Sequence, residues 1–182
     1  MSIPFLKFNL KGQKYMNEQF MLLPMAILNR QAAVSLHSCN DFTGKYGLLL
    51  SEPDIQQLLE NRKQVLEKNG RVEFGGGVMQ KIIMEFVDSP FLYQANYTET
   101  LIELQECFYY FKNETLELVP DDELIKFMKK YFDEVCQGSV EFLQSTMLES
   151  YSRDVRYNKK EYLAEVGYED NYEEFLKYDK ED

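Results

Sequence analysis

The stretch Gly70-Arg71-Val72-Glu73-Phe74-Gly75-Gly76-Gly77-Val78-Met79-Gln80-Lys81-Ile82-Ile83-Met84-Glu85-Phe86 decides how this chain reads. Three glycines in a row contribute no side chain to a core and make the backbone costly to order. They suit a place where the chain turns sharply, packs closely or presents bare N–H groups. Directly after them, Met79, Ile82, Ile83 and Phe86 recur at i, i+3, i+4 and i+7, the spacing of one helix face. Glycine is a poor helix former, by about 1 kcal/mol relative to Ala. The spacing therefore predicts a turn at residues 75–77 and a helix N-terminus beside it, with amides that lack intrahelical partners. Asp88-Ser89-Pro90 ends that helix, because proline disfavours the helical region for the residue before it.

Working outward, Ser51-Glu52-Pro53-Asp54 reads as an N-cap, a first-turn proline and an acid three residues on. The helix it opens carries Ile55, Leu58, Leu59, Val65 and Leu66 inward, and Asn69-Gly70 stops it. Upstream, a helix is expected over residues 17–37 with a break at Pro24, followed by a turn-rich loop over 40–47. Downstream, a long helix runs from Tyr97 or Thr98 to Lys112, with Leu101, Leu104, Phe108 and Phe111 as its stripe. Asp121-Asp122-Glu123 places three acids at a helix start, where the dipole favours them. Leu124, Phe127, Met128, Tyr131, Phe132 and Val135 follow as that helix's apolar face. Ser139 caps a last helix with Val140, Leu143, Met147 and Tyr151 inward, to about Tyr157.

The expected fold is mainly α: a single-domain bundle of six to eight helices. It leaves room for a small two- or three-stranded β element from residues 48–50, 71–74 and 116–119. The helical domain spans residues 1–157 and includes an irregular N-terminal arm at 1–14. Residues 158–182 form an acidic, tyrosine-rich appendage: 161–182 alone hold nine acids, two lysines and four tyrosines.

The net charge of −11 falls unevenly, +3 over residues 1–50, −6 over 51–120 and −8 over 121–182. An acidic surface repels phosphate backbones and anionic bilayers, so neither nucleic acid nor a membrane is an expected partner. Cys39, Cys107 and Cys136 are odd in number and widely spaced, which is no disulfide framework. Free thiols and the absence of a signal-like apolar run point to a cytoplasmic protein.

Few residues suggest chemistry. At the glycine turn, Gly75, Gly76 and Gly77 would offer amides to a phosphate or carboxylate, with Arg71, Glu73 and Lys81 as neighbours. The pattern lacks the Gly-Lys-Ser/Thr ending of a P-loop, and a tight turn or close helix packing is the better explanation of it. His37, the only histidine, stands two residues from Cys39, a spacing that points the two side chains apart on a helix. No C-x-x-C accompanies them, so no metal site and no cofactor are expected. Glu99, Glu103 and Glu106 share a helix face without the E-x-x-H pair of a di-iron bundle, and read as a solvated row. Phe108-Tyr109-Tyr110-Phe111 puts aromatics nearly all round one helix, more than one face buries, so Tyr109 or Tyr110 is a candidate interface anchor.

Gly70-Arg71-Val72-Glu73-Phe74-Gly75-Gly76-Gly77, Asp88-Ser89-Pro90-Phe91, Phe108-Tyr109-Tyr110-Phe111-Lys112-Asn113-Glu114, Asp121-Asp122-Glu123-Leu124-Ile125 and Cys136-Gln137-Gly138-Ser139 together resemble an uncharacterised family of Firmicutes, chiefly clostridial, proteins. That family is classed as a domain of unknown function. The resemblance covers residues 40–157 and implies a cytosolic bacterial protein, with no activity, ligand or catalytic residue to transfer. With no catalytic constellation, the chain reads as a protein-interaction module rather than an enzyme, acting on an unknown protein partner or as a homo-oligomer. The alternatives are a small-molecule or anion-binding protein, or an enzyme, at the glycine turn, and an acidic mimic of nucleic acid.

Overall fold

The computed structural model describes residues 29–165, with side chains as far as residue 159. The expected arm at 1–14, the helix start at Asn17 with its break at Pro24, and the tail beyond residue 165 lie outside the described residues. Among those described, all regular structure is helical and no strand occurs, as the periodicities predict. The helices are α1 (29–43), α2 (Glu52–Lys68), α3 (Gly77–Phe86), α4 (Tyr97–Glu114), α5 (Asp121–Glu134), α6 (Val140–Phe142) and α7 (Glu149–Glu165).

Contacts divide the described chain into two compact units. One holds residues 29–88 and 92–102, the other 89–91 and 103–165, so the division falls inside α4. In the first unit, Ala32, Leu36, Cys39 and Thr43 follow helical spacing and are buried. That stripe carries α1 six residues past His37, through the segment whose Asn, Asp and Gly content predicts a loop. Burial of one face outweighs weak local propensity here. A short 3-10 turn, Gly44–Tyr46, and Gly47 at φ +75° then end the run.

The segment at 48–50 does not become a strand, because side-chain amides take its backbone groups. Leu50 N–H donates to Asn40 Oδ1 and Leu50 C=O accepts from Asn40 Nδ2, both at 2.8 Å. Gln94 makes the same paired contact with Leu49, again at 2.8 Å. These bonds satisfy groups that a neighbouring strand would otherwise serve. Residues 71–74 and 116–119 are likewise connections rather than strands.

α2 begins as its sequence demands. The Ser51 side chain accepts from Asp54 N–H, and the Asp54 carboxylate accepts from Ser51 N–H, closing a capping box. It ends on a Schellman motif: Gly70, at φ +60°, donates to Glu67 C=O, and Arg71 N–H reaches Leu66 C=O at 2.9 Å. α3 buries Met79, Ile82, Ile83 and Phe86 completely, the residues its period predicts.

In the second unit, Leu104, Phe108, Phe111, Leu124, Met128, Phe132, Leu143 and Leu148 form the core. The three acids at the start of α5 stand in its first turn as expected. Its buried face is Leu124, Ile125, Met128 and Phe132; Val135, expected inward, is exposed. Phe127 instead stacks on Tyr151, with ring centroids 4.1 Å apart. Ser139 caps the last helical run, accepting from Phe142 N–H at 3.1 Å. A π segment, Leu143–Leu148, then interrupts the α geometry. Its wider turn advances the inward face by one position, so Leu148 and Ser152 are fully buried where α spacing points to Met147 and Tyr151. α7 continues to Glu165, through the expected boundary between domain and appendage at Tyr157.

Candidate functional site

The chain between α2 and α3 was the sequence's best indication of a site, and the structure shows what fills it. Gly75 and Gly76 form a turn and Gly77 opens α3, as predicted. Gly75 has φ +56° and Gly77 φ +54°, the left-handed region that side chains disfavour. Glu73 folds its carboxylate back over the turn. Its Oε2 accepts from Val78 N–H at 3.1 Å and from Arg62 Nη2 at 3.4 Å. The position that the sequence offers to an external anion is thus held by the chain's own carboxylate.

Gly77 makes this possible. A Cβ there would lie 2.0 Å from Glu73 Oε2 and 2.9 Å from Arg62 Nη2, so any side chain would evict the carboxylate. At Gly75 a Cβ would meet only Ser35 Oγ at 3.4 Å, an ordinary contact, so φ alone calls for glycine there. Gly76 has an ordinary φ of −72°, but its hydrogen faces Gln80 Cβ, 2.5 Å from where a Cβ would be. The three glycines serve three different constraints.

Of the residues expected at this site, the structure unites Glu73 with Gly77 and the α3 N-terminus. Lys81 lies further along α3 on its exposed face. Arg71 lines a groove beside the turn with Val72 and Glu73. Sequence reasoning missed Arg62, whose side chain is only 5 % exposed. The signal was present: Ile55, Leu58, Arg62 and Val65 share one helical stripe, and all four are buried. An arginine on an apolar stripe needs a buried acceptor, and Glu73 supplies it.

The segment 71–75 borders two grooves. Asn29, Leu59, Arg62, Lys63, Leu66, Glu67, Arg71, Val72 and Glu73 line the first. Arg30, Gln31, Val34, Ser35 and Gly75 line the second. Three large apolar side chains stand exposed around them: Phe74 at 74 %, Val72 at 71 % and Val34 at 63 %.

The aromatic run resolves differently from its expectation. Tyr109 is fully buried, its ring set edge-on to Phe108, with centroids 5.2 Å apart. It is a core residue and not a surface anchor, because α4 packs on more than one side. Tyr110 alone of the pair reaches the surface, at 48 % exposure.

The remaining candidates are dispersed. His37 is exposed and meets Glu52 at 2.8 Å, and this hydrogen bond, with one from Gln56, lowers the Glu52 pKa. Cys39 is buried and points its Sγ at Ser35 C=O, so no Cys–His dyad forms. All three cysteines are unpaired and buried, and burial pushes the Cys107 thiol up to about 12. Such a thiol is no nucleophile at neutral pH. Glu99, Glu103 and Glu106 are exposed along α4, the solvated row their spacing suggested. Among the described residues, no group of three or more His, Cys, Asp or Glu could hold a metal ion. Nor is any described helix long and apolar enough to cross a membrane.

No curated protein and no solved structure matches this chain. One family does, over a range that includes the glycine turn, the Arg62–Glu73 pair and α2 to α7 up to residue 161. Residues 35–161 match the family of unknown function DUF6323, and the chain belongs to that family.

Proposed function

We propose that this chain is a cytosolic protein of the clostridial Firmicutes that works as a protein-interaction module, and that the turn at 71–77 presents its contact surface. One observation carries this reading. Phe74 and Val72 expose large apolar side chains on a segment whose conformation is held from beneath by Glu73, Arg62 and the α3 N-terminus, and Val34 of α1 exposes a third at the groove that Gly75 also lines. Single exposed apolar residues are ordinary on a protein surface. Several gathered on a fixed frame mark a place of contact. Buried, unpaired thiols suit a reducing compartment.

Affinity capture tests it. The tagged full chain, expressed in a clostridial host, should retain a partner protein, or itself, at stoichiometric level. The Phe74→Ser variant should lose that partner while keeping its thermal midpoint. A chain that elutes alone and sediments as a monomer defeats the reading, as does capture that ignores Phe74→Ser.

A further inference from the structure

We propose that the chain's own residues 20–28, through Met25 and Leu28, cover the groove lined by Leu59 and Leu66 of α2, and that Phe74 and Val34 are left as the surface open to a partner. Leu59 and Leu66 stand two turns apart on α2, on the side that the sequence reads as inward, yet both are only half-buried. With Asn29 and Val72 they line the first groove. A pair of half-covered leucines gains from any further apolar surface laid against it. The run that precedes Asn29 supplies one. From Phe20 to Leu28 every residue but Pro24 is apolar, and no charge falls between Glu18 and Arg30, in a chain that is 28% charged.

Register selects the side chains. α1 buries Ala32, Leu36, Cys39 and Thr43, in steps of four and three. The same steps counted back from Ala32 reach Leu28, Met25 and Met21, whereas Ile27 falls in line with the exposed Val34. Direction agrees. His37 meets Glu52 at the start of α2, and Asn29, eight residues earlier, shares the groove with Leu59, seven residues later. The two helices therefore run in opposite directions, and at equal rise the two turns before Asn29 pass α2 as far as Leu66. Pro24 removes a helical hydrogen bond and kinks a helix, which puts the close fit at Met25 and Leu28. Attachment directly at Asn29 gives this run an effective concentration of about millimolar, which a second copy or a separate partner would have to exceed.

Photo-crosslinking tests this on the full chain. Lys63 lines the groove between Leu59 and Leu66 and is exposed, so p-benzoylphenylalanine can replace it without entering the core. On irradiation of the purified protein, peptide mapping should find position 63 joined to residues 20–28 in a species of monomer mass. Met25→Asp should lower the yield of that adduct several-fold, and Ile27→Asp should leave it nearly unchanged. An adduct to residues 20–28 found only at dimer mass overturns the proposal in favour of a second copy. Adducts to other segments alone, or no adduct, overturn it outright. Equal losses from Met25→Asp and Ile27→Asp overturn the register that it requires. The interaction reading is judged separately by capture through Phe74. If the monomer adduct forms and no partner is captured, that reading falls and the cover stands. If a partner is captured and the adduct is missing, only the cover falls.

Discussion

The turn at 75–77 and the turn at 115–119 each contain two left-handed residues, yet they are built from opposite materials. The first uses glycine at both positions, Gly75 and Gly77. The second uses Leu116 at φ +53° and Glu117 at φ +59°, where the left-handed region costs about 1–2 kcal/mol per residue. Both are pinned by a buried basic side chain. Arg62 grips Glu73 in the first. In the second, Lys112, 6 % exposed, donates to Val119 C=O at 2.5 Å and to Asp121 Oδ1 at 2.7 Å. Glu117 N–H returns to Lys112 C=O at 3.0 Å, and Arg156 Nη1 reaches Glu114 C=O at 2.8 Å. The difference is one of room. Leu116 is 44 % exposed, so its side chain has somewhere to go and surrounding bonds hold the strain. At Gly77 the space of a Cβ is already taken by a carboxylate. Glycine is indispensable where something else must occupy the volume, and only convenient where φ is the sole demand.

Substitution at the two turns can break or sharpen this contrast. The largest effect is expected at Gly77. Gly77→Ala displaces Glu73 and leaves the buried Arg62 without its acceptor, a loss of about 3–5 kcal/mol in urea unfolding. Gly75→Ala serves as the control and should cost only the left-handed penalty, about 1–2 kcal/mol. Equal losses at the two positions would mean that φ, not the carboxylate, governs the turn.

Lys112→Met comes next. It keeps the aliphatic stem but deletes the ammonium that joins Val119 and Asp121, so about 2 kcal/mol should be lost. Backbone amides of residues 116–118 should exchange faster, by more than those of the glycine turn. If exchange at 116–118 is unchanged, the Thr115 bonds to Phe111 and Lys112 C=O are enough to hold the strain by themselves.

The smallest effect has the opposite sign. Leu116→Gly relieves a left-handed side chain at about 1–2 kcal/mol. It also adds unfolded-state entropy worth about 0.5–1 kcal/mol. The variant should therefore be about 0.5 kcal/mol more stable, seen as a small rise in the urea midpoint. A destabilised variant would show that Leu116 contributes packing that its exposure conceals.

Much of the fold was legible because it is encoded within one helical turn. The capping box of Ser51 and Asp54, the Asn69-Gly70 stop, the acids opening α5 and the stripe Met79, Ile82, Ile83 and Phe86 all join residues at most a few positions apart. The glycine turn was legible for the same reason, since three poor helix formers precede a strong helical period. What fills that turn was not. Arg62 and Glu73 are eleven positions apart and meet only because the connection after Gly70 brings Glu73 back to α2.

The chain's sequence by itself determined the helical class, the caps, the inward stripe of α3 and the place of the glycine turn. Each follows from the chemistry of neighbours along the backbone. The tertiary structure alone decided that α1 runs past His37, that Asn40 and Gln94 replace a strand partner for Leu50 and Leu49, and that Tyr109 is core while Tyr110 is surface. It also decided that the π segment brings Leu148 inward and that Glu73 rather than a ligand meets the α3 N-terminus. The physical reason is common to all of these. Propensities and caps act over a few residues. Whether a polar group is buried, and which partner satisfies it, depends on segments far apart in sequence whose meeting no local pattern records.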